Sequence, residues 1–122
     1  MFNKKNKIVI DSISSVLGES TRLNGKLTFS GTMRIDGSLE GEVISEKKEG
    51  LNNTLIIGEK AQVSGDIHAD TVINSGRIIG NVFAHSRLAI QDPGQVIGDV
   101  ETAELTVEEG VIFNGRCNMV RI

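Results

Sequence analysis

The hydrophobic and polar positions of this 122-residue chain repeat in units anchored on glycine. Aligning Gly25, Gly41, Gly65, Gly80, Gly98 and Gly115 puts Leu23, Leu39, Val63, Ile78, Val96 and Phe113 two positions earlier. Two positions later stand Leu27, Val43, Ile67, Val82, Val100 and Cys117. The residue straight after each glycine is polar: Lys26, Glu42, Asp66, Asn81, Asp99 and Arg116. This alternation of period two predicts a half-buried strand across each glycine. A second apolar pair follows in most units, at Met33 and Ile35, Leu55 and Ile57, Leu88 and Ile90, and Leu105 and Val107. After Gly65 the pair weakens to Val72 and Asn74, so the register is least defined there.

Successive glycines are 16, 24, 15, 18 and 17 residues apart. The polar stretch "EKKEGLNN", residues 46–53, accounts for the outlier as an exposed loop of eight inserted residues. Units this short have no room for a strand, a crossover helix and another strand. They suit short strands wound into coils, each coil burying its apolar columns against the next. The expected fold is all-β: a single-domain parallel β-helix of about six coils over residues 21–119. At about 4.8 Å per rung the rod is roughly 25–30 Å long. Residues 1–20 are expected as a flexible N-terminal arm outside the repeat, and residues 120–122 as a short C-terminal end. Ile8, Val9 and Ile10 either belong to that arm or cover the first coil.

Composition narrows the chemistry. There is no Trp or Tyr and only four Phe, so the core must be built from small aliphatic side chains. A formal net charge of −3 gives no basic field for nucleic acid. The single Cys excludes an internal disulfide and fits a reducing compartment. No apolar run approaches the ~20 residues of a membrane span, and the apolar core of the N-terminus is too short for a secretory signal. A cytoplasmic protein is expected.

The residues that tempt a catalytic reading are placed by the repeat. Cys117 falls in the column of Val82 and Val100, which makes it a small buried hydrophobe rather than a nucleophile. His68 and His85 lie three and five positions after their glycines, so they share no column and read as solvated surface residues rather than metal ligands. Asp66 and Asp99 are two coils apart, about 9–10 Å, too far to share a calcium ion. Asn81 lies between them and separates two like charges. No phosphate-binding glycine motif is present. Without a nucleophile–base pair or a ligand cluster, neither an enzyme nor a cofactor is expected.

The ends of the rod and the arm carry the expected function. A β-helix end exposes strand edges and its last apolar layer, which soluble solenoids cover with a polar cap. Here the last coil carries Phe113, Cys117 and Met119, and the chain then reads "VRI". These three residues are the candidate C-terminal assembly layer, and Leu23 and Leu27 the candidate N-terminal one. Ile79 and Ile97 have outward parity one coil apart, a candidate lateral contact. In the arm, Met1 and Phe2 with Lys4, Lys5 and Lys7 form a candidate membrane contact. Each Lys contributes ~1 kcal/mol near an anionic leaflet, and an inserted Phe about 1–2 kcal/mol. One copy is then a millimolar-class contact, which many copies on a polymer make strong.

The six-unit register, with "RIDGSLEGEV" (34–43), "GDIHADTVINSGRIIGNV" (65–82) and the closing "VIFNGRCNM" (111–119), resembles the bactofilin family over about residues 20 to 119. The resemblance implies a right-handed β-helix that polymerises end to end, without nucleotide, into bacterial cytoskeletal filaments of alternating subunits. It implies a position on the inner face of the cytoplasmic membrane. It also implies clients among cell-wall (peptidoglycan-remodelling) enzymes or chromosome-positioning proteins. Longer members carry a C-terminal tail that is almost absent here. Two other readings compete. One is a left-handed β-helix acyltransferase of the hexapeptide-repeat kind, but coils of 15 and 16 residues do not keep three hexads. The other is a monomeric binding module using "EKKEGLNN".

Overall fold

The computed structural model describes residues 7–46 and 52–120, with side chains from residue 16 onward. Twelve strands and no helix are found among them. In chain order they are β1 (Lys7–Leu17), β2 (Arg22–Ile35), β3 (Ser38–Ser45), β4 (Thr54–Ile57), β5 (Gln62–Ser64) and β6 (Ile67–Asn74). Then follow β7 (Arg77–Ile79), β8 (Val82–Ile90), β9 (Gln95–Ile97), β10 (Val100–Val107), β11 (Ile112–Asn114) and β12 (Cys117–Met119).

All pairings are parallel, between one coil and the next, and they build a β-solenoid of about six turns with three walls. The first wall stacks the opening halves of β2 and β3, then β5, β7, β9 and β11. The second stacks the following halves of β2 and β3, the first halves of β6, β8 and β10, and then β12. The third stacks the end of β2, β4, and the ends of β6, β8 and β10.

The apolar columns of the sequence become the core. Leu39, Val63, Ile78 and Val96 line the first wall, Leu27, Val43, Ile67 and Val82 the second, and Met33, Leu55, Val72 and Leu88 the third. All are buried. Where the register was least defined, Val72 and Asn74 hold their columns and are both wholly buried. Asn74 is tolerated because its amide is satisfied: Nδ2 donates to the Gln95 carbonyl (3.2 Å), and Oδ1 accepts from the Gly76 N–H (3.0 Å).

The anchoring glycines lie at the corner between the first and second walls. β2 and β3 run on through this corner, but from Gly65 onward the strand breaks there instead of crossing the glycine as one element. Glycine is required at this corner whether or not the strand continues, since Gly41 inside β3 has φ of +135° as well. Gly65 and Gly98 have φ of +140° and +142°, and a Cβ on either would run into the carbonyl oxygen of the glycine one coil below. The uneven spacing comes from the turns between the third and first walls and from the bend between the second and third, where β8 carries one residue more than β6 and β10. The turns take two residues at 36–37 and 75–76 but four at 58–61, 91–94 and 108–111.

Three expectations are corrected. Lys7–Leu17 is not outside the rod: β1 pairs in parallel with β2 from Lys7↔Lys26 to Leu17↔Ile35, so of the two places open to Ile8, Val9 and Ile10 they take the one that covers the first coil. Leu27 is consequently no end-layer residue, being 0% exposed. Asn53 is not exposed loop but fully buried. Its Oδ1 accepts from Gly31 N–H (2.8 Å), its Nδ2 donates to the Glu46 carbonyl (2.8 Å), and its own N–H donates to Asp70 Oδ2 (2.9 Å). It ties both feet of the insertion to the rod. Residues 47–51 of the loop, and 121–122 of the C-terminal end, lie outside the described residues.

Candidate functional site

The C-terminal end of the rod is an open apolar layer. Met119 is in register with Thr102, and Val107 with Ile90. Thr102 and Ile90 are fully buried, whereas Met119 is 53% and Val107 49% exposed. Leu105, Val111, Phe113 and Cys117 complete the layer, packed against the core on one side only. β11 and β12 are the last members of the sheet, so each has a free edge of backbone N–H and C=O groups. The candidate residues Phe113, Cys117 and Met119 are therefore brought together in one surface.

Cys117 lies within that layer, its Sγ 3.6 Å from Met119 Sδ. Burial pushes the thiol above its ordinary value.

At the other end Leu23 is half-buried on the first rung of the first wall and packs against the core. Its proposed companion Leu27 is covered, as described above. Leu17 joins the half-buried residues at this end, and Val16 is exposed. Met1, Phe2, Lys4 and Lys5 lie outside the described residues; of Lys7 the backbone is described, at the start of β1.

On the outer surface, Ile79 and Ile97 are register partners on the first wall, and both are half-exposed. One coil higher Asn114 continues this column, and Ile112, 52% exposed, stands two residues along it above Gln95. On the second wall His68 is not a solvated histidine: it is half-buried and stacks on Phe83, with ring centroids 4.5 Å apart and planes 13° apart. Phe83 was not singled out from the sequence. Its signal is its place three positions after Gly80, matching His68 after Gly65. His85 is exposed and does not share the His68 column.

The corner residues after the glycines form a ladder of hydrogen bonds. Asn81 N–H donates to Asp66 Oδ1 (3.2 Å), Asp99 N–H to Asn81 Oδ1 (3.1 Å), and Arg116 N–H to Asp99 Oδ1 (3.2 Å). Each side chain thus satisfies a backbone donor that the corner leaves out of the strand pairing. Asn81 also keeps the two carboxylates from being direct neighbours.

Among the described residues no helix is long and apolar enough to cross a membrane. The arrangement is a stacking rod with an open end.

Comparison with known proteins agrees with this geometry. The bactofilin family model, described as polymer-forming cytoskeletal, matches residues 15–118. The chain is similar to bactofilin BacP of Myxococcus xanthus (strain DK1622), with 27% identity over 106 residues, 87% of this chain and 42% of that protein. It is similar to bactofilin BacO of the same organism, with 24% identity over 106 residues, 87% of this chain and 79% of that protein. The chain therefore spans less than half the length of BacP and about four-fifths of BacO. No solved structure matches.

Proposed function

Because the chain belongs to the bactofilin family of polymer-forming cytoskeletal proteins, we propose that it assembles end to end into filaments without nucleotide. These filaments lie on the inner face of the cytoplasmic membrane and organise cell-shape or cell-wall machinery. The observation that carries the reading is the exposure of Met119 and Val107 directly above the buried Thr102 and Ile90. An apposed end layer would bury the exposed halves of these two side chains, about 1 kcal/mol each. It would also give the free edges of β11 and β12 backbone partners. Phe113 lies in the same layer, and its ring supplies the largest apolar contribution there.

The membrane part of the reading rests on Met1, Phe2, Lys4, Lys5 and Lys7, multiplied along a polymer. Ile79, Ile97 and Ile112 are the lateral contact through which filaments would bundle. Sedimentation of Phe113→Arg tests assembly: the variant is expected in the supernatant where the wild type pellets. Pelleting like the wild type would refute the end-layer reading. Co-sedimentation with anionic liposomes of a chain lacking residues 1–6 tests the membrane contact, which is expected to be lost.

A further inference from the structure

The second wall carries a feature that neither stacking nor an end layer uses. Ile44, His68, Phe83 and Glu101 follow one another in register along its outer face. A groove beside the His68–Phe83 stack is lined by Ser45, Asp70, His85 and Glu101. Along the adjoining corner run Glu42, Asp66 and Asp99, and among the described residues no ion pair neutralises these three or Glu101. Lys26 and Arg116 close the two ends of this column, and an outward aromatic pair beside its unpaired central carboxylates fits a basic segment that carries an aromatic side chain.

The chain itself contains such a segment. Residues 1–6 read "MFNKKN", and they join the rod at Lys7, whose register partner is Lys26 at the same corner of the same wall. Continuing the β1 register backwards would set Lys4 on the inward column of Leu23, where burial of an ammonium is prohibitive. The His68 position is three rungs and two residues from Lys7, about 16 Å. The five residues from Lys7 back to Phe2 reach up to ~17 Å when extended, before the length of the ring is added.

We propose that residues 1–6 dock on the second wall of their own subunit, with Phe2 on the His68–Phe83 pair and Lys4 and Lys5 beside Glu42 and Asp66. Docking withholds the same side chains from a lipid surface, so rod and bilayer compete for one segment. This consequence rests on the membrane contact proposed above; the docking itself does not.

The test therefore uses no lipid. The chain has no Trp, so Phe2→Trp provides a single emitter. Its emission is expected to be blue-shifted relative to a free peptide of residues 1–10 carrying the same substitution. Adding Phe83→Ala, or Lys4→Glu with Lys5→Glu, is expected to return it to the peptide value. The second pair changes no described residue of the rod, which is expected to stay intact. Peptide-like emission from Phe2→Trp alone, or a blue shift that survives both changes, would overturn the proposal. Phe2→Trp/Phe83→Ala is then mixed with excess wild type. Emission that stays peptide-like supports docking within one subunit, and a restored blue shift overturns it in favour of docking between subunits. Liposome binding is measured separately on Phe83→Ala with residues 1–6 intact. A several-fold gain over wild type is expected from the competition. No gain despite proven docking would remove the membrane consequence alone.

Discussion

Met119 stands in register directly above Thr102, yet Thr102 is fully buried and Met119 is 53% exposed. One rung of stacking separates an interior position from a surface one, and the missing rung is what a second subunit would supply. Replacing Met119 with Lys puts a charge in this layer without emptying a filled core site. The variant is expected to remain folded, with a thermal midpoint within a few degrees of a monomeric control. It is also expected to lose assembly, as read by light scattering. Scattering equal to wild type would argue that the layer is not an interface.

Gly98→Ala tests the glycine corner. The new Cβ would strike the Gly80 carbonyl oxygen at φ +142°. A loss of about 3 kcal/mol is expected in urea unfolding, measured in the Met119→Lys background so that polymer does not enter the equilibrium. A change below about 0.5 kcal/mol would show that the corner tolerates a side chain.

The ladder at the same corner predicts a graded result at Asn81. Asn81→Ala removes the acceptor for Asp99 N–H and is expected to cost about 1 kcal/mol. Asn81→Asp keeps an acceptor but joins Asp99 to the neighbouring Glu42 and Asp66 in a run of four carboxylates, so its cost is expected to shrink in high salt. Identical, salt-independent costs for both would rule out the charge-spacing role.

Much of the rod was legible in the sequence because a strand's parity is a local property. The columns from Leu39 to Val96 needed only period-two alternation and a glycine anchor. β1 was not legible, since Ile8 and Ile10 are followed by the serine-rich "DSISS" and no glycine precedes them. Asn53 is illegible for another reason: its partners Gly31 and Asp70 are 22 and 17 residues away, and polarity alone marks it as loop. The His68–Phe83 contact likewise depends on stacking between coils. The apolar end residues are legible from parity, but which of them are covered depends on β1, which buries Leu27.

Cys117 gives a pH prediction. Burial raises the thiol, so the folded chain holds its proton to higher pH than the unfolded chain does. The stabilising contribution is complete below the unfolded thiol's value and declines as pH rises past it toward the folded value. Alkylation of Cys117 in wild-type chain diluted to the monomer is expected to be slower at pH 8 than that of a free cysteine peptide, and slower still in the polymer. Equal rates in monomer and polymer would place Cys117 outside the contact.

The central claim, that this rod is a filament subunit joined through its open end, is tested most directly by electron microscopy of the purified chain without nucleotide. Phe113→Arg is imaged beside the wild type. Long filaments from the wild type, and isolated rods or pairs from the variant, are the predicted result. Dispersed wild-type monomers at all concentrations, or variant filaments indistinguishable from wild type, would contradict it.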